Sequence, residues 1–325
     1  MRLRVAVIYG GRSGEHEVSV RSARAIMDAL DPAKYQRSEY FIDQQGKWGP
    51  RPILPEPGGN PGIDVVFPVL HGTFGEDGTV QGLLELADLP YVGAGVLGSA
   101  VSMDKEMMKR VCAERLLPVV EFVSFPRGHS DLSRITSSLP FPMFVKPANL
   151  GSSVGISKAR DEQELAAAIA LAEQYDRKVI VERGIVGREL ECSVLGNEEP
   201  IASLPSEILP SREFYDYDDK YLLDRAETKV PADLPAEKTD ELRRLAVECY
   251  RAVECEGMGR VDFLLEAATD KLYINEINTI PGFTSISMYP KMWEHSGIGF
   301  AALVDRLIHL ALDRDKRKKA TKFTR

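Results

Sequence analysis

The chain has 325 residues, 44% hydrophobic and 28% charged, the balance of an ordinary globular protein of two or three domains. Its net charge of −8 excludes a nucleic-acid binder as a whole, so any phosphate has to be met by local lysines, arginines and backbone N–H groups. No apolar run approaches the ~20 residues of a membrane span. The N-terminus "MRLRVAVIYGG" enters a strand with too short an apolar run for a signal peptide, so a cytoplasmic protein without a membrane partner is expected.

Residues 4 to 31 read as strand, glycine turn and helix: "RVAVIYGG" is β-rich, and "EVSVRSARAIMDAL" has helical periodicity. "DVVFPVLHG" is a buried strand ending in a loop, and "QGLLELADLPYVGAG" is a helix followed by a strand. This alternation predicts an α/β domain with a mainly parallel sheet over residues 1–100. A helix then starts in "SAVSMDKEMMKRVCAER", where Met103, Met107 and Met108 have core spacing.

Residues 101–188 hold "FPMFVKPANLGSSVGISKA", which reads strand, glycine loop, strand. Asp161 and Glu164 fit a capping box for the helix "DEQELAAAIALAEQ". Residues 189–325 open with a strand and then the stretch "SREFYDYDDKYLLDRAETKVPADLP", which lacks periodicity. Its aromatics Phe214, Tyr215, Tyr217 and Tyr221 favour an ordered lid over a disordered linker. In "TDELRRLAVECYRAVECEG", Leu242, Leu245, Ala246, Cys249 and Val253 share a helix face, and Gly257 suits the C′ position. The basic run "DRDKRKKATKFTR" reads as a solvated helix end or a disordered tail. The four cysteines form no C-x-x-C pair, which leaves them as small buried residues in a reducing compartment.

The chemistry concentrates near the end. "GRVDFLLE" and "KLYINEIN" read as a hairpin joined by "AATD". Glu276 and Asn278, two residues apart, share a strand face, and pairing brings Asp262 beside them. Three oxygen donors with no histidine or thiolate suit a hard cation such as magnesium, completed by waters and substrate phosphates. The competing reading is a solvated strand face, which the apolar neighbours in "VDFLL" and "INEI" disfavour. For phosphate, "KPANLGSSVG" puts Lys146 at a strand end before Gly151, Ser152, Ser153 and Gly155, whose small size lets backbone N–H groups approach. Taken alone, that loop is equally compatible with a plain β-turn. There is no Walker A motif, and "YGGRSGE" breaks the dinucleotide pattern, which disfavours a nicotinamide oxidoreductase.

Together, the lysine of "SMDK", "VKPANLGSSVG", "VIVERGIVGRELECSV", "GRVDFLL" and "NEINTIPGFTS" resemble the ATP-grasp ligases. "GGRSGEHEVS", "HGTFGEDGTVQG", "FYDYDDKY" and "PGFTSISM" are similar to the D-alanine–D-alanine ligase family within that group. The resemblance covers the chain to about Asp313; Ile280 departs mildly, where the family often has Met, Leu or Ser. It implies a three-domain ATP-grasp architecture and ATP-dependent joining of two D-alanines for peptidoglycan synthesis, through an acyl phosphate. It implies phosphate contacts by Lys105, Lys146, Ser153 and the lid residue Lys220, adenine contacts at Glu182 and Ile185, and a ribose contact at Glu189. It implies two magnesium ions, replaceable by manganese, on Asp262, Glu276 and Asn278. Arg260 and the N–H of Gly282 would stabilise the oxyanion. Glu15, with His71 nearby, would take the first ammonium, and Ser287 with the Met288 backbone the second carboxylate. Glu15, Ser152 and Tyr221 would form a hydrogen-bonded set across the closed site. A homodimer is implied. Lys220-Tyr221 favours D-alanine over D-lactate as second substrate; D-serine is harder to exclude. A non-catalytic nucleotide-binding relative is disfavoured because Arg260, Lys220 and the metal residues are all present.

Overall fold

The computed structural model describes residues 2–151, 154–209, 227–284 and 286–322. Ser152, Ser153, Lys220, Tyr221 and the other lid aromatics lie outside the described residues.

Val5, Ala6, Val7 and Ile8 of β1 (Leu3–Gly10) are all fully buried, so this run is continuously apolar rather than alternating. β1 pairs in parallel with β2 (Tyr35–Ile42) and β4 (Val65–Val69). β3 (Trp48–Gly49) adds an antiparallel edge, in the order β3-β2-β1-β4. α1 (His16–Ala29) and α2 (Thr79–Leu86) follow the helical patterns. The strand expected after α2 is reduced to one bridge, Val66 to Tyr91, because Gly93 turns the chain away at φ 94°. The next helix is in fact two, α3 (Val96–Met103) and α4 (Lys105–Glu114). Asp104 divides them by accepting the Met107 N–H at 3.1 Å, capping rather than continuing a helix. Of the three methionines only Met108 is core; Met107 is exposed and Met103 lines the cleft.

The second sheet comprises β5 (Phe122–Pro126), β6 (Met143–Pro147), β7 (Ser157–Ala159) and β8 (Lys178–Arg183). It is antiparallel in the order β5-β8-β6-β7, with β6 and β7 flanking the glycine loop. α5 (Leu132–Ser138) and α6 (Glu162–Ala172) supply its core. Asp161 accepts the Glu164 N–H at 2.8 Å, but Glu164 reaches back to the N–H of Arg160 at 2.8 Å, one residue short of a standard capping box.

The third sheet contains β9 (Gly187–Gly196), β10 (Ile201–Ala202), β11 (Ser206–Leu209), β12 (Glu227–Lys229), β13 (Gly257–Glu266) and β14 (Leu272–Asn278). Its path is β12-β11-β9-β13-β14, with β10 on β9, again antiparallel. α7 (Ala236–Ala252) packs Leu242, Leu245, Ala246 and Cys249 under it, as their spacing required. All four cysteines are buried and free.

α8 (Met288–His295) and α9 (Phe300–Lys319) return to the first sheet, where Leu303, Leu307 and Ile308 share a core with Val5, Val7 and Phe67. The basic run is therefore mostly a docked helix end. Arg314 lies 4.2 Å over the Tyr91 ring and donates to the Tyr91 and Gly93 carbonyls. Arg317 meets Glu198 at 2.7 Å and Glu256 at 2.8 Å, and Lys318 pairs with Glu85.

Gly257 is not the C′ residue of α7. Glu254 holds that place at φ 53°: its N–H reaches Arg251 O at 3.1 Å and the Cys255 N–H reaches Tyr250 O at 3.0 Å, a Schellman pattern. Gly257, at φ 72°, instead lets β13 pass Gly93, whose nitrogen would lie 3.0 Å from an added Cβ. A left-handed glutamate costs roughly 1 kcal/mol relative to glycine. Glu254→Gly should therefore raise the thermal midpoint by about 1–3 °C; scanning calorimetry of the two proteins checks it, and a lower midpoint would contradict the strain.

Candidate active site

The third sheet has a core face and a cleft face. On β13, Val261, Phe263 and Leu265 face the core, and Arg260 and Asp262 face away. Strict alternation would put Ile274 and Glu276 of β14 on one side. Instead Asp262 pairs with Glu276 and Phe263 with Ile274, leaving Asn275 as the extra residue of a β-bulge. Leu272 and Ile274 before the bulge and Ile277 after it enter the same core. Glu276 and Asn278 are thereby turned to the cleft beside Asp262.

β9 flanks β13 and places Glu191 opposite Asp262. Arg260 donates from Nε and Nη2 to the two Asp262 oxygens, each at 2.7 Å, and lies 3.2 Å from Glu191. Burial alone would lower the Arg260 pKa, but Asp262 and Glu191 outweigh it and hold the guanidinium well above its ordinary value. Asn278 Nδ2 donates to Asp262 at 3.0 Å. Lys105, the first residue of α4, donates to the Leu150 carbonyl at 2.8 Å and lies 3.2 Å from Glu276.

Among the described residues no three His, Cys, Asp or Glu side chains gather into a metal cage. Asp262, Glu276 and Asn278 form a set of two carboxylates and an amide, all oxygen donors. That chemistry fits a hard divalent cation whose remaining positions belong to water and phosphate. Both carboxylates are meanwhile balanced by Arg260 and Lys105, which a bound cation would partly displace.

The opposite wall comes from the first sheet's loops. Glu15 precedes α1, and its Oε2 would lie 2.7 Å from a Cβ on Gly72 and 3.5 Å from one on Gly151. The carboxylate thus abuts the glycine loop; its other expected partners, Ser152 and Tyr221, lie outside the described residues. His71 is buried, with Nδ1 2.8 Å from Ile280 O and Nε2 3.2 Å from Ser22 Oγ. Burial lowers its pKa against the opposing pull of Glu15 and the Ile280 carbonyl. Glu76 accepts the N–H groups of Gly72 at 2.7 Å and Ile280 at 2.9 Å. His71 and Glu76 therefore clamp their loop to the turn that carries Gly282. An added Cβ on Gly282 would lie 3.1 Å from Ser287 Oγ, which itself accepts the Thr284 N–H at 3.0 Å just before α8.

Glu15, His71, Lys105, Arg260, Glu276, Asn278, Gly282, Ser287 and Met288 all line one cavity of about 810 Å³. Lys146, Glu182, Ile185, Glu189 and Asp262 stand outside that lining. Lys146 borders it by donating to Asn275 at 3.1 Å, next to Glu276. Glu182 is 2% exposed, between Lys146 at 2.7 Å and Lys109 at 3.1 Å. Glu189 lies on β9 two residues before Glu191, and Ile185 is half-buried after β8.

Sequence reasoning missed Glu191, Glu76, Ser22 and Lys109. Glu191 had a signal, since it shares the strand face of Glu189, and Lys109 follows Lys105 at helical spacing. The roles of Glu76 and Ser22 depend on the turn at Ile280 to Phe283, far away in the chain.

Desolvation and the nearby Glu15 charge push the Glu76 carboxyl from 4.5 up to about 8. Between those values the folded protein keeps a proton that the unfolded chain releases, so this group's contribution to stability falls as pH rises. Glu76→Gln should therefore gain in thermal midpoint on the wild type between about pH 5 and about pH 8. Parallel melts at the two pH values check this, and a constant difference would show that Glu76 is ionised throughout.

The sequence matches the family model described as D-ala D-ala ligase N-terminus over residues 4–57 and 55–94. It matches that described as D-ala D-ala ligase C-terminus over residues 111–309. It is 77% identical over 325 residues to the D-alanine–D-alanine ligase of Solibacter usitatus (strain Ellin6076), covering 100% of both chains. It is 49% identical to that of Thermoanaerobacter sp. (strain X514), covering 97% of this chain and 98% of the relative. Among solved structures, it is similar to the D-alanine–D-alanine ligase from Coxiella burnetii, with a TM-score of 0.88, 39% identity, and coverage of 98% of this chain and 96% of that one. The VanG D-Ala:D-Ser ligase from Enterococcus faecalis superposes with a TM-score of 0.87 and 36% identity, over 96% of this chain and 100% of that one. The ATP-grasp architecture implied by the sequence motifs is thus present. Matched along both its N-terminal and C-terminal regions, the chain belongs to the D-alanine–D-alanine ligase family.

Proposed function

We propose that this enzyme uses ATP to join two D-alanine molecules into D-alanyl-D-alanine. The observation that carries the reading is one cavity lined by both a carboxylate, Glu15, and a fixed guanidinium, Arg260, in a chain of this family. The first D-alanine carboxylate takes the γ-phosphoryl group, and ADP leaves. The neutral amine of the second D-alanine then attacks the acyl phosphate carbon and sheds a proton as phosphate departs. An unactivated carboxylate oxygen is a poor leaving group, which is why phosphorylation comes first.

In this reading Glu15 holds the first ammonium, with His71 behind it. Arg260 and the Gly282 N–H face the developing oxyanion, where a preorganised donor is most effective. Ser287 and the Met288 N–H, at the start of α8, take the second carboxylate, a favourable place for an anion. Lys105, Lys146, Ser153 and Lys220 meet the phosphates, Glu182 and Ile185 the adenine, and Glu189 the ribose. Asp262, Glu276 and Asn278 would hold two magnesium ions, or manganese in their place, supplying charge neutralisation at the phosphates. Ser152 and Tyr221 would close with Glu15 over the site and exclude water, which an acyl phosphate requires.

The same reading divides the chain into a substrate-binding unit over 1–100, a unit with the phosphate loop over 101–188, and one with the lid and metal residues over 189–325. It makes the enzyme a cytoplasmic homodimer serving peptidoglycan synthesis. No helix among the described residues is long and apolar enough to cross a membrane.

Phosphate release from ATP and magnesium should depend on D-alanine and match D-alanyl-D-alanine found by mass. Release without dipeptide would favour another second substrate, and the likeness to a D-Ala:D-Ser ligase makes D-serine the first to try, before D-lactate. Arg260→Met should lower kcat by about 10²–10³ while nucleotide binding persists. A variant with wild-type kcat would remove Arg260 from the chemistry.

A further inference from the structure

Lys109 lies one helical turn beyond Lys105 on α4 and is 0% exposed. Lysines are almost never fully buried unless paired. Its ion-pair partner is Glu182, whose Oε1 is 3.1 Å away without hydrogen-bond geometry; the other oxygen, Oε2, accepts from Lys146 Nζ at 2.7 Å. Lys146 also donates to Asn275 Oδ1 at 3.1 Å. An ammonium has three N–H donors, so among the described residues one is left to a ligand. Lys146 and Glu182 are brought together by the second sheet: Lys146 pairs with Ile180 and Phe144 with Glu182, which puts both side chains on one face. Asn275 is the bulge residue of β14, so the same backbone irregularity that aims Glu276 at the cleft also steadies Lys146.

The two lysines differ in charge balance. Burial lowers the Lys109 pKa more than Glu182 raises it. On Lys146, Glu182 and nearby carboxylates outweigh burial, and the shift is upward. Lys146 and Lys109 sit on different oxygens of the shared Glu182 carboxylate.

We propose that Lys109 is a positioning residue for nucleotide binding: by holding one oxygen of Glu182, it leaves the other oxygen and Asn275 to fix Lys146 with one N–H directed at the ATP phosphates. Without Lys109, both Glu182 oxygens are free to fold onto Lys146 and neutralise it. The inference rests on the reading of Lys146 as a phosphate-binding lysine.

The test compares Lys109→Met, Lys146→Ala and the double variant K109M/K146A in the full-length enzyme. Calorimetric Kd values for ATP and adenosine are read beside KM for ATP and for D-alanine. Lys109→Met should weaken ATP about tenfold or more, the scale of coupling between contacting groups. KM for D-alanine should hold, adenosine should lose less affinity than ATP because only its Glu182 contact is touched, and in the Lys146→Ala background the same substitution should cost ATP no more than it costs adenosine. Equal losses for ATP and adenosine, or the same ATP loss with and without Lys146, would overturn the proposal and leave Lys109 a purely structural group. If Lys146→Ala alone leaves ATP affinity intact, the fault lies in the phosphate reading of Lys146. Should Lys109→Met fail to fold, K109M/E182Q removes the buried pair together and is compared with Glu182→Gln. ATP affinity should then be equal in these two, and a further loss in the double variant would count against the proposal.

Discussion

One extra residue in β14 decides what the cleft contains. With unbroken alternation, Ile274 and Glu276 would face the same way, and either a carboxylate would enter the core or an isoleucine would face the cleft. The bulge at Asn275 lets Ile274 and Ile277 both pack inward while Glu276 stands across from Asp262. A buried, unpaired carboxylate costs several kcal/mol, so this geometry holds only with cations nearby. Lys105 and Arg260 are those cations. The site is thus a balanced set of charges.

The rest of the molecule brings three walls to that face. α4 delivers Lys105 because Asp104 breaks the helix before it and caps the new one. The second sheet delivers Lys146 beside Asn275. The loop from His71 to Glu76 is bound to Ile280 through two hydrogen bonds, each spanning more than 200 residues of chain, which helps hold Glu15 and Gly282 within one cavity. α9 completes the arrangement by packing the C-terminal region on the first sheet and fastening its basic end to Glu85, Glu198 and Glu256.

Much of this was legible locally. Strand runs, the parallel first sheet, the α7 core face and the hairpin of Asp262 with Glu276 all follow from periodicity and turn residues. What stayed hidden was set by partners distant in sequence. Reading only the two-residue spacing of Glu276 and Asn278 misses the bulge in "KLYINEIN", whose mark is the three-residue step from Ile274 to Ile277. The burial of Glu182 between Lys109 and Lys146 follows only once the second sheet and α4 meet. Gly257 looked like a helix stop because glycine usually fills that role, but Glu254 takes it under strain and the glycine serves a close approach to Gly93. The basic C-terminal run carried no sign of the acidic groups on which it docks.

The most direct test is a crystal structure with magnesium and a non-hydrolysable ATP analogue. The account predicts metal at about 2.1 Å from oxygens of Asp262, Glu276 and Asn278, with Glu276 drawn from Lys105 and the phosphates beside Lys105 and Lys146. Metal bound elsewhere, with Asp262 still doubly bonded to Arg260 and Glu276 still paired with Lys105, would contradict it.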